Sequence, residues 1–193
     1  MYRYAFLLAV TLPAAPLSGL AAQAADANPK AVLVATPREG AMAPEFSLPW
    51  ATKETIGAPD APYELWRDRG KTVVLAFYPA DFTKGCTAEL QTFADQYDTL
   101  FGEDVIVLGI SSDSLESHKR FAASLDLPFR LLSDPDLKVA RKYASTGDAG
   151  RAKRTVFVIG PDGKVKYQNL KFNALDPKHY TALGSAVQAA RGG

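Results

Sequence analysis

Four runs of consecutive apolar, strand-favouring residues stand out along the chain: TVVLAFY at 72–78, DVIVLGI at 104–110, FRLLS at 129–133 and TVFVIG at 155–160. Continuous Val, Ile and Leu over this length suits strands buried on both faces. A fifth run, KVKYQNL at 164–170, alternates apolar and polar positions and follows the turn GPDGK, which predicts the second arm of a hairpin. Helical periodicity fills the gaps. Leu90, Phe93, Ala94, Tyr97 and Phe101 fall on one apolar face, predicting a single helix over 86–101. Residues 112–125 open with Asp113 and Glu116 in capping-box spacing. Residues 133–143 open with Asp134 as N-cap and Pro135 at the first helical position, and Asp176 and Pro177 repeat that arrangement at the last helix.

Strands alternating with helices of this size predict one α/β domain with a largely parallel central sheet and the hairpin at one edge. The first residues have a different character. MYR is a short basic start, YAFLLAVTL an apolar core and AAQAAD a small-residue cleavage site, the pattern of an export signal cut after Ala24. Pro13, Pro16, Ser18 and Gly19 interrupt the apolar run, which argues against a membrane anchor. The organisation expected is therefore a signal at 1–24, an extended Pro- and Ala-rich segment at 25–39 and the folded domain at 40–193. After cleavage nothing holds the chain at a membrane, and a bacterial periplasm or other exported setting follows.

Composition is that of a globular protein, 47% apolar and 22% charged. A formal net charge of +1 gives no reason to expect nucleic acid or an anionic surface as partner. One cysteine and two histidines offer neither an internal disulfide nor the paired soft ligands of a metal site, so no metal or cofactor is expected. His118 and His179 lie among charged residues on helical segments and read as surface histidines. Trp50 and Trp66, within the stretch 49–70, have no purpose assignable from sequence.

The lone thiol, Cys86, ends the stretch YPADFTKGC at 78–86. It follows a buried strand and a short loop and sits in the first turn of a helix. The crevice past the carboxyl ends of strands is where open α/β sheets bind ligands. Free backbone N–H groups at a helix N-terminus favour an anion, here a thiolate. Gly85 leaves the approach to the sulfur open and permits the turn. A cysteine is also among the most often buried residues and commonly an inert one, but this corner, with Thr83 and Thr87 as neighbours, points to reactivity.

Pro79, Thr83 and Cys86 spell P-x-x-x-T-x-x-C within FYPADFTKGCTAEL, and this resembles the active-site signature of the peroxiredoxins. APEFSLP at 43–49 is similar to that family's opening segment, and RTVFVIGPDGKV at 154–165 to its arginine-bearing late strand and hairpin. The similarity spans roughly residues 40–190 and is nearest to the bacterioferritin-comigratory, PrxQ-like branch. It implies a thioredoxin-like fold and a thiol-dependent peroxidase acting on hydrogen peroxide or organic hydroperoxides. By the same resemblance Cys86 is the peroxidatic nucleophile, and Thr83 holds the thiolate and the attacked oxygen. Pro79 shapes and shields the loop, Arg154 stabilises the thiolate and the leaving oxygen, and Glu89 orients the arginine. Members of the branch are often monomers, which implies a monomer or weak dimer here.

One departure has a chemical consequence. The resolving cysteine of the branch often lies five residues after the first, where this chain has Gln91. Oxidised Cys86 would be a sulfenic acid with no internal partner. Its reductant must then come from outside: a thioredoxin-like or glutaredoxin-like protein, or a low-molecular-weight thiol. Thiol–disulfide exchange needs a C-x-x-C pair, and the first position of that pair is Thr83. A copper-binding role lacks ligands. An exported redox sensor without peroxidase turnover remains the alternative reading.

Overall fold

The computed structural model describes residues 36–192, so the export signal expected at 1–24 and most of the extended segment expected at 25–39 lie outside the described residues. A two-stranded ribbon forms from β1 (Ser47–Leu48) and β3 (Tyr63–Glu64), with β2 (Trp50–Ala51) between them in sequence. A 3-10 turn at Leu65–Asp68 leads into β4 (Thr72–Phe77), followed by α1 (Lys84–Asp95) and α2 (Tyr97–Leu100). Then come β5 (Val105–Ser111), α3 (Leu115–Ser124), β6 (Arg130–Ser133), α4 (Lys138–Lys142), β7 (Thr155–Ile159), β8 (Val165–Asn169) and α5 (Pro177–Arg191).

The six-stranded sheet has the order β2-β6-β5-β4-β7-β8. Its centre, β4–β5–β6, is parallel as the alternation of strands with helices predicts, while β2, β7 and β8 pair antiparallel, so the sheet is mixed. Apolar runs report burial and carry no information on strand direction, which is set by the connections. Alternation along β4 divides the core. Val74, Ala76 and Tyr78 face a cluster covered by α1, α2, α3 and α5, and Val73, Leu75 and Phe77 face one covered by α4 and the N-terminal segment. Both sets are buried, which is why β4 lacks the polar alternation of a one-sided strand.

The helix predicted over 86–101 is two helices. Gln96 leaves the helical region, at φ −111 and ψ 20, and its N–H bonds to Thr92 and Ala94 before the chain re-enters α2. The apolar face survives the break: Leu90, Phe93 and Phe101 are buried, and Tyr97 packs against them. At α3 the N-cap is Ser114, whose hydroxyl accepts from the Ser117 N–H, in place of the predicted Asp113–Glu116 box. Asp113 is engaged elsewhere, by Ser111 and the backbone of Asp81. Asp134 does cap α4, accepting from Val139 and Ala140, but across a turn in which Leu137 is left-handed, so Pro135 lies outside the helix. At α5 the prediction holds, with Asp176 accepting from the Lys178 N–H and Pro177 opening the helix.

The stretch 49–70 supplies an edge of the sheet. Trp50 pairs with Leu132 across β2 and β6, its Nε1 donates to the Ala61 carbonyl at 3.1 Å, and the Arg130 guanidinium lies 4.8 Å from its ring centre. Any side chain at Gly57 would strike that ring, at 2.5 Å. Trp66 is exposed.

Candidate active site

Chain direction places the site. β4 runs through the middle of the sheet, and its last buried residue is followed by Tyr78, whose N–H continues the ladder to Ile110. The loop 79–83 turns the chain, Thr83 takes the N-cap position of α1, and the Thr87 N–H closes the first helical turn onto the Thr83 carbonyl. Cys86 is the third helical residue, so its N–H belongs to the first turn, which has no intrahelical acceptor.

Arg154 enters from the residue before β7. Because β7 pairs antiparallel with β4, with Thr155 opposite Phe77, the start of β7 lies beside the end of β4. The guanidinium is thereby delivered to the first turn of α1. Its Nη2 donates to the Cys86 sulfur at 3.3 Å, and its Nη1 pairs with Glu89 Oε2. Three residues separate Cys86 from Glu89, which puts both on one face of α1. One guanidinium therefore bridges sulfur and carboxylate.

Burial sets the electrostatics of the three groups. Cys86 and Glu89 have no exposed surface, and the Arg154 side chain is 18% exposed. Burial pushes the Glu89 carboxyl up to about 7 against the opposing pull of Arg154. Its second oxygen, Oε1, has no hydrogen-bond partner. Burial alone would lower the Arg154 guanidinium, but Glu89 and the Cys86 sulfur outweigh it and raise it, so the arginine stays charged. The full burial of Cys86 corrects the expectation of an open approach past Gly85. What Gly85 leaves room for is the arginine, since a Cβ there would lie 3.1 Å from Nη2.

The structure brings Cys86, Gly85, Glu89 and Arg154 together, with Pro79 and Thr83 half-buried on the loop before them. The Thr83 hydroxyl donates to the Ala80 carbonyl at 3.1 Å, not to the sulfur. Its lone pairs remain available, and the hydrogen bond fixes the turn just before the helix.

His118 departs furthest from expectation. It is fully buried, with Nδ1 3.0 Å from Asp81 Oδ2 and Nε2 3.1 Å from the Leu132 carbonyl. Charged neighbours in sequence hide this, although position 118 shares a helical face with Leu115, Phe121, Ala122 and Leu125, and that spacing is the signal that would have found it. Asp81 was likewise missed. His179 is half-buried and accepts from the Asn173 N–H. Among the described residues there is no group of three or more His, Cys, Asp or Glu that could hold a metal.

In sequence and in fold the chain is similar to known proteins. Over 133 residues the chain is 38% identical to the peroxiredoxin bcp of Coxiella burnetii, covering 65% of this chain and 83% of that protein. It is 38% identical over 130 residues to the chloroplastic peroxiredoxin Q of Sedum lineare, covering 66% of each. The crystal structure of peroxidoxin BcpB from Mycobacterium tuberculosis superposes with a TM-score of 0.68 at 29% identity, covering 80% of this chain and 99% of that one. The sequence profile of the AhpC/TSA family matches residues 40–168, which include the loop, Cys86, Glu89 and Arg154 alike, and the chain belongs to that family.

Proposed function

We propose that the protein is a thiol-dependent peroxidase in which Cys86 is the nucleophile. The observation that carries the reading is the Arg154 guanidinium held 3.3 Å from the sulfur while Glu89 anchors its other nitrogen. Cleaving an O–O bond with sulfur needs an anionic nucleophile and a cationic donor for the charge that develops on the leaving oxygen. Arg154 supplies both requirements from one position. The Cys86 thiolate attacks the nearer peroxide oxygen, the O–O bond breaks, and the leaving oxygen takes up a proton as water or an alcohol. Cys86 is left as the sulfenic acid, two electrons more oxidised. An external thiol then attacks that sulfur and releases water, and a second thiol resolves the mixed disulfide and restores Cys86. Thr83 contributes hydroxyl lone pairs and a fixed turn, and Pro79 shields the loop.

The export signal at 1–24 supports activity outside the cytoplasm, in a bacterial periplasm. The reductant is a thioredoxin-like or glutaredoxin-like protein or a small thiol, and the working unit is a monomer or weak dimer. The test is the second-order rate of Cys86 oxidation by hydrogen peroxide, followed by mass spectrometry of the sulfenic acid. Cys86→Ser should abolish it, Arg154→Ala should slow it by about a hundredfold, and Thr83→Val should slow it by about tenfold. If neither Arg154→Ala nor Thr83→Val slows the reaction in a folded protein, the assignment is wrong. Oxidation that occurs once and then stalls with every thiol donor would make the protein a redox sensor instead.

A further inference from the structure

The loop that ends at Cys86 is held by a buried polar cluster that takes no part in the peroxide chemistry above. Asp81 lies between Pro79 and Thr83, and its carboxylate is almost wholly buried. The Tyr78 hydroxyl donates to its Oδ1 at 2.7 Å, the Ser117 hydroxyl to Oδ2 at 2.8 Å, and His118 Nδ1 faces Oδ2 at 3.0 Å. Burial, with the Asp81 charge beside it, holds the Tyr78 hydroxyl well above its ordinary value, so it remains a donor.

The opposite nitrogen of His118, Nε2, faces the Leu132 carbonyl oxygen at 3.1 Å. A carbonyl oxygen offers only lone pairs, so Nε2 carries a proton. On the other side of the ring Nδ1 and the Asp81 carboxyl share a hydrogen bond, with the Tyr78 hydroxyl 3.4 Å from the same nitrogen. Both side chains are out of water, so each supplies the hydrogen-bond partner that burial demands of the other. The backbone is fastened at the same point, because the Asp81 N–H donates to Asp113 Oδ2 at 3.0 Å. The next residue, Phe82, is held at φ +57 with its ring 4.9 Å from that of Phe121 on α3.

We propose that His118 is a positioning residue for peroxide reduction: through Asp81 it locks residues 80–83 against α3 and β6, and so fixes the turn from which Thr83 and Cys86 meet the peroxide. The proposal rests on the reading of Cys86 as the peroxidatic nucleophile. Its effect is on alignment of the O–O bond, where displacements of about 1 Å cost about a hundredfold in rate.

The experiment compares wild type, His118→Leu and His118→Asn by three measurements: oxidation of Cys86 by hydrogen peroxide, alkylation of Cys86 by iodoacetamide, and thermal unfolding. Alkylation needs a reactive sulfur but no aligned peroxide. His118→Leu should slow oxidation by at least about tenfold without slowing alkylation. His118→Asn, which keeps an N–H near the place of Nδ1, should recover most of the loss. Equal oxidation rates in wild type and His118→Leu, or a parallel fall in oxidation and alkylation, overturns the proposal. If His118→Leu does not fold, the side-chain nitrogen NMR spectrum of wild type decides. A ring N–H on His118 protected from solvent exchange by its bond to the Leu132 carbonyl is expected, and a rapidly exchanging one overturns the clamp. A wild-type protein whose Cys86 resists peroxide altogether would instead overturn the peroxidase reading, and the nitrogen spectrum would still judge the clamp.

Discussion

Arg154 divides one guanidinium between a sulfur and a carboxylate, so anything that changes Glu89 changes what the sulfur receives. The Glu89 carboxyl, raised by burial from its ordinary 4.5 to about 7, favours the neutral form in the folded protein more than in the unfolded chain. Its contribution to stability is therefore complete below its ordinary value and is lost as pH rises through about 7. Glu89→Gln removes that titration. The melting temperature of the variant relative to wild type should rise between about pH 5 and about pH 8, and a flat or falling difference in calorimetry would contradict the shift. Gly85 gives a second residue-level prediction with two opposite signs. Alanine in a helix is favoured over glycine by up to about 1 kcal/mol, so Gly85→Ala should hold or raise the melting temperature. Its Cβ would press on Arg154 Nη2 from 3.1 Å, so Cys86 oxidation should slow by about tenfold. Cys86 and its neighbour Gly85 were readable from the motif and its strand-to-helix corner, and Glu89 and Arg154 from the family resemblance. Asp81 and His118 were not, since their buried hydrogen-bonded contact uses the residue types that normally mark a solvated face.

Helix ends show where local patterning is sufficient and where packing overrides it. Asp176 and Pro177 cap α5 as written, because the cap and the first turn are contiguous and need nothing from elsewhere. At α4 the same two residue types are displaced from the helix by a turn, since Asp134 is also hydrogen-bonded through its N–H to Ser111 at the end of β5. The far end of α4 yields a prediction at this scale. The Ser145 N–H bonds to Ala140 and the Ala144 N–H to Arg141, a Schellman ending whose left-handed residue is Ala144, at φ +50. Glycine removes the Cβ penalty there, offset in part by greater freedom of the unfolded chain, so Ala144→Gly should stabilise by roughly 0.5–1 kcal/mol. Thermal unfolding should show a rise of about 2–4 °C per kcal/mol, with the rate of Cys86 oxidation unchanged. The break at Gln96 had no such signal, because the apolar face continues through it and periodicity sees only the face.

At the scale of the whole molecule, the single thiol and its burial together constrain turnover. The absence of any cysteine but Cys86 is plain in the sequence, and with it the need for an outside reductant. The burial was not legible, because it arises when residues distant in sequence, from Val74 to Val187, close into one cluster around the first turn of α1. Hydrogen peroxide is two heavy atoms, whereas a reducing thiol brings a carbon chain or a protein surface to the same sulfur. With no exposed surface at Cys86 even a water molecule is excluded, so peroxide needs a small displacement of the loop, and the larger nucleophile a local opening of the first turn of α1. Oxidation and recycling should therefore respond oppositely to mild destabilisation. Urea well below the unfolding midpoint favours states that expose more surface, and should speed reduction of the sulfenic acid by a fixed thiol concentration. The same urea should slow or leave unchanged the oxidation step, which depends on the aligned arginine. Stopped-flow measurement of the two half-reactions separates them. If recycling slows in parallel with oxidation, the donor reaches the sulfur in the closed structure and the two steps share one geometry.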